Sequence, residues 1–180
     1  MQGFAHLQPA RLLQGGFLVD GVQGATGIGH VCTRQASIRT ALQDARFQRG
    51  ALFYTGDAHA VQGDGEVNGT AVETSLSPVL QFVVHKGKGA TMKWPRGEDA
   101  NNYYVMGMDV DLNVAMSEAV QESVVFLQQQ RGLAPGDAYA LASVATNFGI
   151  SQTVNHVRTI YGEIPKRIFA TNPPFWAQQR

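Results

Sequence analysis

The chain has 180 residues, of which 44% are apolar and 16% charged, and its formal net charge is zero. That length suits one domain with a sizeable core, and the neutral balance speaks against a polyanionic partner such as nucleic acid. No window approaches the roughly 18 consecutive apolar residues of a membrane-spanning helix, and the single cysteine, Cys32, excludes an internal disulfide.

The lone thiol, together with a start at Met1–His6 that lacks a basic and then apolar leader, predicts a cytoplasmic protein. Charged residues fall below the usual share of about 25%. A surface partly covered by a partner and a shortage of charged helices explain this equally well.

Residues 1–49 form an atypical, glycine-rich segment. Five arginines against Asp20 and Asp44 give the first fifty residues a charge of +3, leaving −3 for the rest. Gly24-Ala25-Thr26-Gly27-Ile28-Gly29 follows Phe17-Leu18-Val19 and precedes Asp44 by twenty residues, which faintly resembles a dinucleotide-binding turn. The glycine order is not GxGxxG and no second βαβ unit follows, so a plain glycine-rich loop is expected. Cys32 lies near His30 without an Asn or Asp partner, as a small apolar filler or an exposed thiol would.

From Ala51 the pattern becomes regular. Residues 51–55, 66–74, 78–85 and 102–108 each read as a strand. Lys86, Lys88, Lys93 and Arg96 form a basic run expected to be a solvated loop. Leu112, Met116, Ala119, Val120, Val124 and Leu127 mark a helix, with Asp109 or Asp111 to cap it and Gly132 to end it. A second helix starts at Pro135, runs through Ala138, Leu141, Ala142, Ala145 and Phe148, and closes at Gly149. Ile150–Val154 is expected as a strand, and residues 171–180 as a tail.

The chemistry-bearing residues gather in Gly56-Asp57-Ala58-His59-Ala60-Val61-Gln62-Gly63-Asp64-Gly65-Glu66. In an extended chain Asp57 and His59 face one side, and Asp64 and Glu66 share the same spacing. Gly56, Gly63 and Gly65 permit close approach of the backbone to a ligand. Carboxylates and an imidazole can hold a divalent metal, which activates a water, while a carboxylate left off the metal acts as general base. Asp-Gly pairs are also ordinary in hairpin turns. Spacing alone leaves both readings open.

This segment, continued by Val67, Gly69-Thr70-Ala71 and Glu73, resembles the signature of the acetamidase/formamidase family. Met106-Gly107-Met108-Asp109, Asp111-Leu112, Gly132-Leu133, Asp137–Leu141 and Pro165-Lys166 with Phe169 are similar to that family's C-terminal part, in order. The resemblance covers about residues 50–169. It implies an α+β, β-rich fold with a sandwich-like β core and two C-terminal helices, over residues 50–170. It further implies a cytoplasmic, homo-oligomeric hydrolase that converts short linear amides to a carboxylate and ammonia. A divalent metal, with zinc as the candidate, would be held by Asp57 and His59. Glu66 would be the general base with Asp64 beside it, and Gln62 and Gly63 would meet the substrate.

Three departures stand out. Asn68 occupies a place where members often have cysteine, and Tyr161 one where they often have histidine. Family chains are also longer, and their N-terminal half carries a second acidic and histidine stretch expected to complete the site. The chain is therefore expected to be a truncated member, with residues 1–49 read from a shifted frame as one account of their composition. An inactive remnant, or a subunit of a split amidase, is the alternative function.

Overall fold

The computed structural model describes residues 58–75, 77 and 92–172, and the backbone of two short strands, β1 (Gln14–Gly15) and β2 (Ala41–Gln43). The expected strands at 51–55 and 78–85, the glycines around Gly24, Cys32 and the tail beyond residue 172 lie outside the described residues. The fold is α+β, and the described residues form two antiparallel sheets and two α-helices.

The larger sheet has the order β2-β5-β6-β8-β7, with β5 at Arg96–Glu98, β6 at Asn102–Asp109, β7 at Asn147–Gln152 and β8 at Arg158–Pro165. Strand β6 is central because six consecutive residues, Tyr103 to Met108, are buried. A strand buried on both faces reads as a continuous apolar run. It pairs with β8 over all eight residues, from Asn102↔Pro165 to Asp109↔Arg158.

Helix α1 (Leu112–Arg131) lies across β6 and β8, and α2 (Pro135–Ala145) packs beside it. Asp111 caps α1 by accepting from the Asn113 and Val114 backbone N–H groups, a contribution of about 1 kcal/mol. Tyr103, Val105, Phe126, Leu127, Ala138, Ala142 and Ile164 form the main core between helices and sheet. Met106 and Met108 are buried with Trp94 and Val157 against them.

Small residues set the helix-to-sheet distance. A Cβ built on Gly107 would lie 2.2 Å from the Ala115 carbonyl oxygen and 2.3 Å from the Ala119 amide nitrogen. Ala115, Ala119 and Ile160 fill the rest of that contact, with Leu112 and Phe148 at its margin.

Arg96 differs from its expected place in a solvated loop. It stands in β5, nearly buried, where Nη2 meets Glu122 Oε2 at 3.2 Å, Nη1 donates to Gln129 Oε1 at 2.7 Å, and the guanidinium lies over the Phe126 ring. Burial pushes the Glu122 carboxyl above its ordinary range, and Arg96 opposes that shift. Losing one partner of such a buried pair costs about 3–5 kcal/mol.

The second helix ends earlier than its apolar spacing suggests. Phe148 and Gly149 belong to β7, because an apolar residue facing the α1 side of a strand keeps the stripe going without the helix.

Gly107→Ala is expected to cost at least about 3 kcal/mol, the upper end of the usual overpacking penalty, because the new methyl meets backbone. Urea-denaturation midpoints measure it. A loss under ~1 kcal/mol would mean that α1 moves off β6 without strain.

Candidate functional site

The smaller sheet has the order β1-β3-β4, with β3 at Ala58–Val61 and β4 at Val72–Glu73. Its register sets His59 opposite Glu73 and Val61 opposite Val72, with an irregularity between them. Between the two strands, residues 62–71 form turns, where alternation suggested a strand from residue 66. The backbone explains the difference. Gly65, Glu66 and Gly69 have φ of 90°, 42° and 80°, values that extended chain cannot adopt. Asp64 and Glu66 therefore do not share a strand face. Among the described residues Glu66 alone has positive φ without being glycine, a conformation that costs about 1–3 kcal/mol.

The turn segment docks on the edge of β7. Gly65 N–H donates to the Ile150 carbonyl at 2.8 Å, and Thr153 donates to the Gly65 carbonyl through its N–H at 2.9 Å and its hydroxyl at 3.0 Å. Gln62 Nε2 donates to the Ser151 carbonyl at 3.1 Å. An edge strand has backbone groups to satisfy, and here residues 62–65 satisfy them.

His59 is 2% exposed and engaged at both ring nitrogens. The Ser151 carbonyl can only accept, so the Gln62 amide nitrogen faces it and the amide oxygen faces His59. His59 Nδ1 consequently donates to Gln62 Oε1 at 2.8 Å. His59 Nε2 lies 3.2 Å from Glu73 Oε2. With Nδ1 as donor, a neutral ring would set a lone pair on Nε2 against a carboxylate. That pair of acceptors calls for a proton or a cation between them.

Glu73 is held from its other oxygen, since Oε1 accepts from Thr70 Oγ1 at 2.9 Å and from the Ala71 N–H at 3.2 Å. The Ala71 N–H, then the Thr70 hydroxyl, and less strongly His59 hold its carboxyl below the ordinary range.

Of the residues singled out from sequence, the structure joins His59 and Gln62 and places Gly63 and Asp64 exposed in the turn and Glu66 half-buried. Asp57 lies outside the described residues. Asp64 meets Tyr161, whose hydroxyl is 3.4 Å from Oδ1. Among the described residues, no three His, Cys, Asp or Glu side chains converge as a metal site. Glu73 was missed as a site residue. Its position in the motif was visible, but its partnership with His59 depends on the irregular β3–β4 register.

The sequence model of the acetamidase/formamidase family matches residues 46–171, more than half of the chain. The chain belongs to the acetamidase/formamidase family. Solved structures agree on the fold. An acetamidase from Yersinia enterocolitica matches with a TM-score of 0.70 at 23% identity, over 94% of this chain and 53% of that one. An acetamidase from Bacillus halodurans matches with a TM-score of 0.67 at 20% identity, over 93% and 59%. A predicted acetamidase/formamidase from Thermoanaerobacter tengcongensis matches with a TM-score of 0.66 at 22% identity, over 93% and 57%. This member of the family thus spans a little over half the length of the solved structures it matches. No curated protein sequence matches it.

Glu73 is expected to deprotonate below 4.5, its ordinary value. Its folded value is depressed, so the stabilisation from its contacts is present above 4.5 and is lost as pH falls through the depressed value. A carbon-detected NMR titration reads it, and Thr70→Val should move the midpoint upward. A wild-type midpoint at or above 4.5 would contradict the assigned contacts.

Proposed function

We propose that the chain serves the hydrolysis of a short linear amide, of the formamide or acetamide type, to a carboxylate and ammonia. Membership of the family supports this reading. The observation that carries it is His59, buried at the foot of the family motif with one ring nitrogen fixed by Gln62 and the other aimed at Glu73.

A divalent metal would find two of its ligands in this pair. An imidazole nitrogen and a carboxylate oxygen 3.2 Å apart form a donor pair that zinc accepts. The Gln62 amide on Nδ1 is the kind of outer contact that orients a ligating histidine. His59 would hold the metal with Asp57, and Glu73 is added to that set. When bound, the metal would bring the pKa of a coordinated water to about 7.

The chain's own residues supply the rest. Glu66 accepts the proton from the attacking water and returns one to the departing nitrogen. Asp64 stands two residues before it in the turn as a second carboxylate. Gly63 leaves backbone open to the substrate. Gln62, whose amide is already bonded to His59 and Ser151, acts by orienting His59. The family resemblance further supports a cytoplasmic homo-oligomer.

Glu66→Gln is expected to keep the fold and to lower formamide and acetamide turnover by about 100-fold or more, the scale of a general base. Circular dichroism and ammonia release measure the two effects. Wild-type turnover in the variant excludes Glu66 as base. His59→Ala should abolish stoichiometric zinc binding in equilibrium dialysis. A wild-type chain that binds no zinc and releases no ammonia would favour the inert-remnant reading.

A further inference from the structure

Strand β7 carries one residue too many for its partner at the end nearest the motif. Ile150 pairs with Ile160 and Gln152 with Thr159, so β7 advances two residues while β8 advances one. Such a bulge bends a strand and re-aims the residues beyond it. Ser151 is the added residue, and its carbonyl accepts from Gln62 Nε2. Past the bulge the chain returns to β8 through residues 153–157.

Gln152 braces that loop from within. It is 0% exposed, with Oε1 accepting from the Asn155 N–H at 3.1 Å and Nε2 donating to the Val157 carbonyl. Both ends of one amide therefore close on loop backbone. The orientation is fixed, because an N–H only donates and a carbonyl only accepts. Thr153, the first residue of the loop, directs its N–H at 2.9 Å and its hydroxyl at 3.0 Å to the Gly65 carbonyl. The next residue of the motif is Glu66, with its φ of 42°. Such a backbone persists only where its surroundings over-determine it.

We propose that Gln152 and Thr153 are positioning residues that act as one brace. The glutamine sets the shape of the β7–β8 loop, and the threonine passes it to the turn that carries Glu66. The catalytic consequence rests on the amide-hydrolase reading with Glu66 as base, whereas the brace itself does not.

Amide hydrogen exchange, read by NMR, tests the brace. Thr153→Val removes the hydroxyl and keeps the N–H, and should speed exchange at Gly65 about fivefold, the scale of one net hydrogen bond. Thr153→Ser keeps the hydroxyl and should stay within about twofold of wild type. Gln152→Met keeps the buried bulk and removes both amide contacts. It should speed exchange at Gly65 and Thr153 about tenfold or more, while the β6 amides hold theirs within about twofold. Wild-type exchange at Gly65 in Thr153→Val or in Gln152→Met overturns the proposal. An equal rise across β6, or a Gln152→Met chain that does not fold, makes the glutamine a support of the whole fold and overturns it as a brace.

Formamide turnover by the full chain reads the consequence. Thr153→Val and Gln152→Met should lower kcat, the latter about tenfold, and leave KM within about twofold, because the base is misplaced while the substrate contacts are kept. Faster exchange at Gly65 with unchanged kcat overturns the positioning role. Faster exchange in a protein whose wild type hydrolyses no short amide sustains the brace and overturns the hydrolase reading instead.

Discussion

Helix α1 reaches the central strand because position 107 carries no side chain. Backbone of the helix and backbone of β6 come within the space that one methyl group would fill. At that distance Ala115 and Ala119 are enough to fill the contact, and larger residues such as Phe126 and Leu127 pack further along the helix. The same approach brings Glu122 and Gln129 down to Arg96 in β5, so a buried charge finds its partners. Interiors packed to crystal-like density leave such contacts little room to adjust.

The candidate site depends on the far end of that sheet. Strand β7 pairs with β8 along one side and presents carbonyls along the other, with the Thr153 amide just past its end. Ile150, Ser151 and Thr153 together bind Gly65 and Gln62. Gln62 in turn fixes the His59 ring, and Glu73 reaches it from β4. The orientation of one imidazole therefore follows from a chain of bonds that starts at the edge of another sheet. Strain in the turn at Glu66 is sustained by the same docking, since the bonds on either side of Gly65 fix the path that Glu66 must continue.

Much of the fold was legible from the amino acids. Strand β6 and helix α1 announce themselves by a continuous apolar run and by a capped helical pattern, both local signals. The stripe on α1 was partly misplaced. Met116 faces outward, whereas Ala115, Ser123 and Phe126 are buried, because the helix turns small residues toward Gly107. Strands β5 and β8 were not legible. Arg96 in β5 is buried against Glu122 and Gln129, twenty-six and thirty-three residues away. The motif was recognised at once as a chemical unit, but its shape was not. Alternation suggested a strand at residues where three positive φ angles make turns, and such angles leave no periodic trace. Glu73 and Tyr161 reached the site through pairing register, which one-dimensional spacing does not carry.

Glu66 sits where glycine would rest more comfortably. Exchange for glycine would relax the turn and remove the carboxylate in one step, so backbone ease and the base role proposed for Glu66 pull in opposite directions at this position.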